Sequence, residues 1–250
     1  MSLARRSLVR EIMDDHEPPQ AVVDEVYRVL ELINRWFGGT RATLARFKSL
    51  SRQWEPGARI EVLDVACGGG DLARALIDFG AARGFYIRVT ALDISARALV
   101  AARAQGRSKG HPNGLVFLRG DVHKAPFRDR GFDYVTCSLF FHHLRDDEVV
   151  HALRSFDRLA SRGVVINDLV RGWRLYLWSW LVTRPCNEVL RHDGPLSVRK
   201  AFRPSELLPL VSRAGMGWLS LRRHFGHRMT LGGERPPSEA SSEPGVAGVP

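Results

Sequence analysis

The chain has 250 residues, of which 44% are hydrophobic, and this length and composition favour one α/β domain with a substantial core. The formal net charge of +10 is compatible with a nucleic acid or an anionic membrane surface, but the basic residues are almost all arginines and are scattered along the whole chain. The three cysteines form no CxxC pair, which excludes a zinc-finger pattern and gives no sign of a disulfide framework.

These features predict a cytoplasmic protein with no specific nucleic-acid partner. The longest apolar stretch, residues 173–182, contains Arg174 and is too short to cross a bilayer, so we expect no membrane span. The N-terminus contains neither the apolar run of a signal peptide nor the acid-poor composition of a transit peptide.

Residues 1–57 are expected to form an N-terminal helical cap. Apolar side chains recur every three to four residues from Val22 to Phe37, with charged residues between them, which is the pattern of an amphipathic helix ending at Gly38. A second helical segment reaches about Ser51, and a turn at 55–57 precedes a change of pattern.

From residue 58 onward the sequence predicts alternating strands and helices. The apolar runs that are interpreted as buried strands are 60–66, 86–92, 115–118, 132–139 and 164–166. The helical patterns between several of them lie at 71–83, 95–105 and 146–160. With two final strands between Trp218 and Thr230, this order predicts an α/β fold with a doubly wound, mostly parallel, seven-stranded sheet.

The alternation breaks after the fifth predicted strand. Residues 171–190 are rich in aromatic side chains and have a helical pattern, and a polar, turn-rich segment follows at 191–199. We predict that about 171–200 form a helical insertion that acts as a lid. A further helix is predicted at 204–214. The domain is then expected to span 58–231, and residues 232–250 have so little apolar bulk that we predict a disordered tail.

The most informative segment is Val62–Ala73, in which a strand runs through a glycine-rich turn into a helix. Such a turn lets a ligand approach bare backbone at the carboxyl edge of the sheet. Asp93 ends the next strand, 23 residues after the last glycine, close to the roughly 20 residues expected for a carboxylate that holds a ribose diol.

Asp64 and Asp71 flank the glycines and suit a cationic group better than a pyrophosphate, which favours S-adenosylmethionine over a dinucleotide. Because the same glycines also satisfy a dinucleotide-binding pattern, an NAD(P)-dependent oxidoreductase stays an alternative.

Five segments, in order, resemble those of the class I S-adenosylmethionine-dependent methyltransferases. LDVACGGGDL resembles the first motif of that family, ALDIS the second, GDVHKAPF the third, FDYVTCSLFFHHL the fourth strand with its following loop, and RGVVINDL the fifth strand. Together they cover about residues 58–170. One position departs from the pattern, since Ala66 stands where the family has its first glycine, a mild replacement that is expected to leave the backbone path intact.

The resemblance implies S-adenosylmethionine as the cofactor and a set of residues that contact it. The implied contacts are Asp64, Ala66, Cys67, Gly68, Gly70, Asp93, Ile94, Asp121, Val122 and Ser138. Within this set, Asp64 would organise the ammonium group or a water, Asp93 would take the ribose hydroxyls, and Ser138 would lie beside the methionine portion. Asp121 and Val122 would contact the adenine, although Asp121 also fits an ordinary turn after Gly120.

On the acceptor side, His142 and His143 follow the fourth strand at the same edge of the sheet as the glycine turn. Adjacent side chains in an extended loop point apart, so we predict His143 as a general base and His142 as an acceptor contact. We expect burial and the cofactor's positive charge to depress the pKa of His143. His192 is a second candidate base, and whether the reaction uses a base at all stays open.

The aromatic insertion is predicted to cover the acceptor with Trp173, Tyr176 and Trp178. This accessory region resembles that of bacterial small-molecule methyltransferases acting on quinone-like, phenolic or polyketide-like acceptors. We therefore predict methyl transfer to a small, largely apolar acceptor, at a hydroxyl or a ring carbon. An RNA or protein methyltransferase is the nearest alternative, disfavoured because no NPPY-like tetrapeptide follows the fourth strand. A catalytically idle cofactor-binding domain, the identity of the acceptor and the oligomeric state are left open by the sequence.

Overall fold

A computed structural model describes residues 3–15, 18–108 and 113–236. Within these residues, seven strands form one sheet in the order β3-β2-β1-β4-β5-β7-β6. The strands are β1 (Arg59–Val65), β2 (Tyr86–Asp93), β3 (Leu115–Arg119), β4 (Phe132–Ser138), β5 (Ala160–Leu169), β6 (Ser220–His224) and β7 (Arg228–Glu234). Strands β1 to β5 pair in parallel, and β7 lies antiparallel between β5 and β6. The predicted seven-stranded, mostly parallel sheet is confirmed.

Helices cover both faces of this sheet. They are α1 (Ile12–Asp15), α2 (Gln20–Trp36), α3 (Gly39–Leu50), α4 (Asp71–Ala81), α5 (Ala96–Ser108), α6 (Asp146–Leu159), α7 (Trp173–Thr183), α8 (Glu188–Lys200) and α9 (Pro204–Arg213). Neighbouring strand residues point to opposite faces, so Leu63 packs in a core with Phe156 of α6 and Leu210 of α9, whereas Val62 packs in a second core with Phe47 of α3 and Leu76 of α4. Both faces of β1 are therefore buried, which explains its nearly continuous apolar sequence.

Buried polar side chains fasten helix α3 to the sheet. The Arg46 guanidinium donates through Nε to Thr230 Oγ1 at 2.9 Å and through Nη1 to Ser220 Oγ at 2.9 Å. Asn167 of β5 donates through Nδ2 to the carbonyl oxygen of Gly39 at 2.8 Å and to Thr43 Oγ1 at 3.1 Å. Because a buried polar group without a partner is costly, these bonds fix where the N-terminal helices lie on the sheet.

The segment 191–199 is polar and rich in turn-forming residues, yet it is helical, in agreement with the helical insertion expected over about 171–200. Helix α8 begins after Asn187, whose side chain accepts a hydrogen bond from the amide of Leu190 at 3.0 Å. Gly194 and Pro195 suggested a turn, but both lie inside the helix. Burial of Val189, Leu190, Leu196 and Val198 outweighs the low helix propensity of Gly194 and Pro195.

The last strand extends beyond the expected end of the domain. Gly232 and Gly233 lie in β7, although the disordered tail was predicted to begin at residue 232. A side chain at Gly232 would come within 3.1 Å of the Val164 carbonyl oxygen, and one at Gly233 within 3.1 Å of the Trp218 carbonyl oxygen. These glycines therefore reflect close strand packing rather than disorder, and the rest of the predicted tail, 237–250, lies outside the described residues. In the part of the chain that the structure describes, no helix has the length and apolar character needed to span a bilayer.

We expect Gly163→Ala to lower the free energy of unfolding by about 1–3 kcal/mol, the range for overpacking a dense core. Gly163 pairs with Glu234 between β5 and β7, and an added Cβ would collide with the Gly233 carbonyl oxygen. Urea denaturation measures the difference. Gly217→Ala is the matched control, because a Cβ there meets nothing within 4 Å, and its effect should stay within about 0.5 kcal/mol. Equal losses in the two variants would contradict this account of the β5–β7 pairing.

Candidate functional site

A cavity of about 610 Å³ lies where the parallel strands end. Asp64, Asp93, Ser138 and Leu169 bring the carboxyl ends of β1, β2, β4 and β5 to its floor. Helices α2, α7 and α8 and residues 11–14 form the remaining walls. Its size is that of a small-molecule site, and the carboxyl edge of a parallel sheet is where such sites form.

The turn after β1 has an unusual backbone. Ala66, Gly68 and Gly70 have φ angles of +54°, +51° and +70°, which lie in the left-handed region. The amide of Cys67 donates to the Leu92 carbonyl oxygen at 3.1 Å, so the turn is tied to β2. Ala66 adopts the conformation that a glycine would take more easily, at a cost of roughly 1–2 kcal/mol for a residue with a Cβ.

The carboxylate of Asp93 is held by two backbone amides. Oδ2 accepts from the amide of Gly68 and Oδ1 from the amide of Ser95, both at 2.8 Å. Burial raises the pKa of this carboxyl, and the hydrogen bonds from Ser95 and Gly68 oppose the rise. Asp93 is therefore fixed at the end of β2 and lies on the cavity wall.

Asp64 is the second acidic residue on the floor of the cavity. Its side chain is 1% exposed, and Oδ2 has no hydrogen-bond partner among the described residues. Burial raises the pKa of this carboxyl, and the nearby charges of Asp71 and Asp93 add to the increase. A buried carboxyl oxygen without a partner beside a cavity is complementary to a cationic group that would satisfy it.

The two adjacent histidines have different partners. His142 is buried, and its Nδ1 lies 2.7 Å from Asp168 Oδ1, while its backbone amide donates to Asp168 Oδ2 at 3.0 Å. Burial alone would raise the pKa of Asp168, but the charge and hydrogen bonds of His142 outweigh it and hold the pKa below its ordinary value. An ionised Asp168 accepts from Nδ1–H, which leaves the lone pair of a neutral imidazole on Nε2. That nitrogen lies 3.8 Å from Glu11 Oε1.

His143 contacts the N-terminal segment instead. Its Nδ1 lies 3.1 Å from Asp14 Oδ2, and Lys200 Nζ lies 3.2 Å from the same oxygen. Burial opposes a charge on His143, but the hydrogen bond to Asp14 and the charges of Glu11 and Asp14 outweigh it and raise the pKa of the imidazole. The contacts within the chain thus raise the pKa of His143 rather than depress it, because Glu11 and Asp14 lie beside the ring, and the sequence pattern did not indicate this proximity.

The structure brings most of the predicted site residues to one cavity. Those on its wall are Asp64, Ala66, Cys67, Gly68, Asp93, Ile94, Ser138, His142, His143 and Trp178. The predicted residues that lie outside the wall are Gly70, Asp121, Val122, Trp173, Tyr176 and His192.

The residues outside the wall have other local roles. Asp121 Oδ1 accepts from the amide of His123 at 2.9 Å, which is the turn contact that competed with the adenine assignment. Val122 packs in the core, and the side chain of Trp173 points outward, with 63% of the residue exposed. His192 is exposed, and its Nδ1 lies 2.7 Å from Asp193 Oδ1, so its assignment as a base is corrected.

Several cavity residues were missed by the sequence reasoning. Glu11, Met13 and Asp14 come from the N-terminal segment, Tyr27 and Asn34 from α2, and Arg228 from β7. The ring of Tyr27 lies so close to the glycine turn that a Cβ at Gly68 would be 2.7 Å from its Cε1. None of these residues belongs to a local motif, and only the amphipathic pattern of α2 could have indicated that its apolar face meets the sheet edge.

The N-terminal segment is held in place by Asp193 of α8. Its Oδ1 accepts from the amide of Ile12 at 2.9 Å, and its Oδ2 from the amide of Met13 at 3.1 Å. Glu11, His142 and His143 place one ligand atom each within 4.8 Å of one another, which is a spacing that a metal ion could use. Lys200 Nζ lies 3.2 Å from Glu11 Oε1, and an ammonium there would repel a divalent cation. We assign no metal to these residues.

Comparisons with known proteins agree on one family. Residues 62–163 match the family described as "Methyltransferase domain". The ubiquinone biosynthesis O-methyltransferase of Albidiferax ferrireducens is 31% identical over 218 residues, which cover 80% of this chain and 82% of that protein. The enzyme of the same name from Azoarcus sp. is 28% identical over 204 residues, covering 79% and 84%. The demethylmenaquinone methyltransferase of Chlorobaculum tepidum is 31% identical over 159 residues, covering 63% and 57%.

Solved structures show the same fold at lower identity. Human N-acetylserotonin methyltransferase in complex with S-adenosylmethionine superposes with a TM-score of 0.65 at 17% identity, covering 92% of this chain and 62% of that one. The magnesium protoporphyrin IX methyltransferase of Synechocystis with bound S-adenosylhomocysteine gives a TM-score of 0.55 at 16% identity, covering 80% and 84%.

We expect His143→Gln to lower stability more at low pH than at high pH. A histidine whose pKa is raised by folding contributes stability below its unfolded pKa of about 6.5, and that contribution is lost as the pH rises through the higher folded value. The groups facing it are Glu11, Asp14, Lys200 and His142. Asp14 stays ionised across this range because its own pKa is lowered by the same contacts against the effect of its burial.

The measurement is the difference in unfolding free energy between wild type and His143→Gln from pH 5.5 to 9. That difference should shrink as the pH rises. In an Asp14→Asn background the same comparison should lose most of its pH dependence. A difference that stays constant with pH in the wild-type background would rule out a charged His143–Asp14 pair.

Proposed function

The chain belongs to the class I S-adenosylmethionine-dependent methyltransferases, and from this premise we propose that it methylates a hydroxyl group of a small, largely apolar, phenolic or quinone-like acceptor. The observation that carries this proposal is that His142, on the wall of the cavity that also contains the glycine turn, is paired with the buried Asp168. The relatives, which are O-methyltransferases of ubiquinone biosynthesis and a demethylmenaquinone methyltransferase, support an acceptor of this chemical class.

The residues on the cavity floor fit the cofactor of the family. Asp93 is fixed where it can accept from the two ribose hydroxyls, and the unpartnered Oδ2 of Asp64 suits the ammonium group. The backbone of Ala66 and Gly68 lies on the cavity wall, where its left-handed turn could contact the methionine portion, and the ring of Tyr27 packs against the turn at Gly68. When bound, S-adenosylmethionine supplies an electrophilic methyl group on a sulfonium.

In this proposal His142 takes the proton of the acceptor hydroxyl. Asp168 holds Nδ1–H, so Nε2 is free to accept that proton, and the Asp168 carboxylate then stabilises the resulting imidazolium. This assignment moves the base from His143, the residue favoured by the sequence, to its neighbour. His143 is engaged by Asp14, and its raised pKa favours the charged form, which cannot accept a proton.

The upper part of the cavity is apolar and aromatic. Leu30 and Ile33 of α2 and Leu175 of α7 line it, and the rings of Phe37 and Trp178 meet edge to face with centroids 4.2 Å apart. Such walls favour an aromatic acceptor and keep water from the reacting groups. Methyl transfer is an in-line displacement, and much of its acceleration comes from holding the two reactants in line.

An alternative acceptor is RNA or protein. We expect no specific nucleic-acid partner, because the arginines are dispersed and the proposed base lies on a buried wall of the cavity. A hydride-transferring function with NAD(P) is ruled out by the family assignment. Methyl incorporation into purified RNA at physiological salt, without incorporation into small phenols, would favour the alternative over the proposal.

We expect Asp93→Ala to weaken the binding of S-adenosylhomocysteine by about two orders of magnitude or more. Two charge-assisted hydrogen bonds to the ribose contribute about 1.5–3 kcal/mol each, and about 1.4 kcal/mol corresponds to tenfold in affinity. Titration calorimetry gives the affinity, and thermal unfolding checks that the variant is folded. Asp146→Ala is the control, because Asp146 is a surface acid outside the cavity that pairs with Arg6. Wild-type affinity in folded Asp93→Ala would remove Asp93 from the cofactor site.

We expect His142→Ala to lower kcat by about 10²–10⁴, the range for loss of general-base catalysis, with little change in S-adenosylhomocysteine affinity. Asp168→Asn should also lower kcat, because its amide can donate to Nδ1 and favour the wrong tautomer of His142. His143→Ala should stay within a few-fold of wild type once folding is confirmed. The assay follows methylation of a panel of phenols and reduced quinones by mass spectrometry. A His142→Ala rate within a few-fold of wild type, with a flat pH profile of kcat for both, would contradict the base assignment.

A further inference from the structure

Arg228 is a buried cation on the cavity wall that the predicted motifs do not include. It is the first residue of β7 and lies opposite Leu169, at the carboxyl end of β5. The residue is 3% exposed. Its Nη2 donates to Asn34 Oδ1 at 2.8 Å, whereas its Nη1 is buried and has no hydrogen-bond partner among the described residues. A buried guanidinium N–H without a hydrogen-bond partner carries a desolvation cost that a bound anion would remove.

A short polar chain connects this guanidinium to the glycine turn. Asn34 accepts from Arg228 and donates through Nδ2 to Asp71 Oδ2 at 3.0 Å, and Asp71 is the first residue of α4 after Gly70. Gly39 leaves space for the guanidinium, because a Cβ there would lie 3.1 Å from Arg228 Nη2. The side chain of Arg228 is therefore positioned beside the turn by α2, α3 and α4 together.

Strand β1, which leads into the same turn, carries an unpaired acidic group. Oδ2 of Asp64 is buried without a partner, and Asp64 also lies on the cavity wall. Asp71 is close enough to both groups to affect their pKa values. Burial raises the pKa of Asp64, and the charge of Asp71 raises it further. Burial lowers the pKa of Arg228 to about 10, although the charges of Asp168 and Asp71 oppose this decrease. One cavity thus contains a buried guanidinium and a buried carboxyl group, each with an unused hydrogen-bonding atom.

This pair of groups matches a zwitterion. An α-amino acid carries a carboxylate and an ammonium on one carbon, and arginine is the side chain best suited to a carboxylate. The family's cofactor ends in such a group, and the glycine turn is where its methionine portion is expected. We propose that Arg228 binds the α-carboxylate of S-adenosylmethionine through Nη1 while Asp64 faces the α-ammonium. This assignment does not depend on which acceptor is methylated.

The test compares two small molecules that differ only in this carboxylate. S-Adenosylhomocysteine and its decarboxylated analogue, which keeps the nucleoside, the thioether and the amine, are titrated calorimetrically into wild type and Arg228→Met. Wild type should prefer S-adenosylhomocysteine by about 10–100-fold, the affinity that corresponds to one charge-assisted hydrogen bond. Arg228→Met should bind both molecules with the weak affinity of the analogue, so that the preference disappears.

Two further variants separate binding from folding. Arg46→Met removes another buried arginine that bonds to β7, but Arg46 lies outside the cavity wall, so this variant should keep the wild-type preference even where its stability falls. Arg228→Lys keeps a positive charge without the planar fork, and it should retain an intermediate preference. It also supplies the comparison if Arg228→Met does not fold.

Specific outcomes would overturn the proposal. Equal affinity of wild type for the two molecules would show that the carboxylate has no charged partner. An unchanged preference in Arg228→Met, or in Arg228→Lys where only that variant folds, would exclude Arg228 as the partner. If either variant keeps the preference but raises the KM of an acidic acceptor, the guanidinium belongs to the acceptor side and the proposal fails.

Discussion

The hydrogen bond from the Gly68 amide to the Asp93 carboxylate joins the two strand ends on which the cavity depends. It crosses from the turn after β1 to the end of β2, beside the bond from the Cys67 amide to the Leu92 carbonyl oxygen. Because Asp93 also accepts from Ser95, its carboxylate has little freedom to rotate. The strained conformation of Ala66 is kept by these neighbours, since an isolated alanine would leave the left-handed region.

The two histidines divide their contacts between the sheet and the N-terminal segment. His142 is bonded to Asp168 of β5, so its position follows the sheet. His143 is bonded to Asp14, and its charge is balanced together with that of Lys200 on α8. Neighbours in sequence therefore belong to different structural units, and a change in one unit need not displace the other histidine.

Local patterns were sufficient for the sheet and the glycine turn. Strands buried on both faces, such as β1, have continuous apolar sequences, and three consecutive glycines between a strand and a helix mark the turn. Local patterns were not sufficient at α8. Gly194 and Pro195 lower the local helix propensity there, but burial against α7 decides the conformation. Tertiary packing overrides propensity there, and no window of sequence contains that information.

The remaining misses in the site have a different physical origin. Glu11 and Arg228 reach the cavity, and Asp168 reaches His142 on its wall, from three distant parts of the chain that only strand pairing and helix docking bring together. Asp168 was present in the RGVVINDL segment, but its bond to His142 depends on the parallel register of β4 and β5. In contrast, Asp121 and Val122 occupy positions that match the third motif of the family, but they lie outside the cavity wall.

Asp193 receives both amides at the start of α1, and this makes the N-terminal segment and α8 a single mechanical unit. Lys200, at the other end of α8, holds Glu11 and Asp14 of the same segment. A rigid-body shift of α8 would therefore carry both carboxylates with it. The width of the cavity and the electrostatic potential around the two histidines would change together, because one body carries both the wall and its charges.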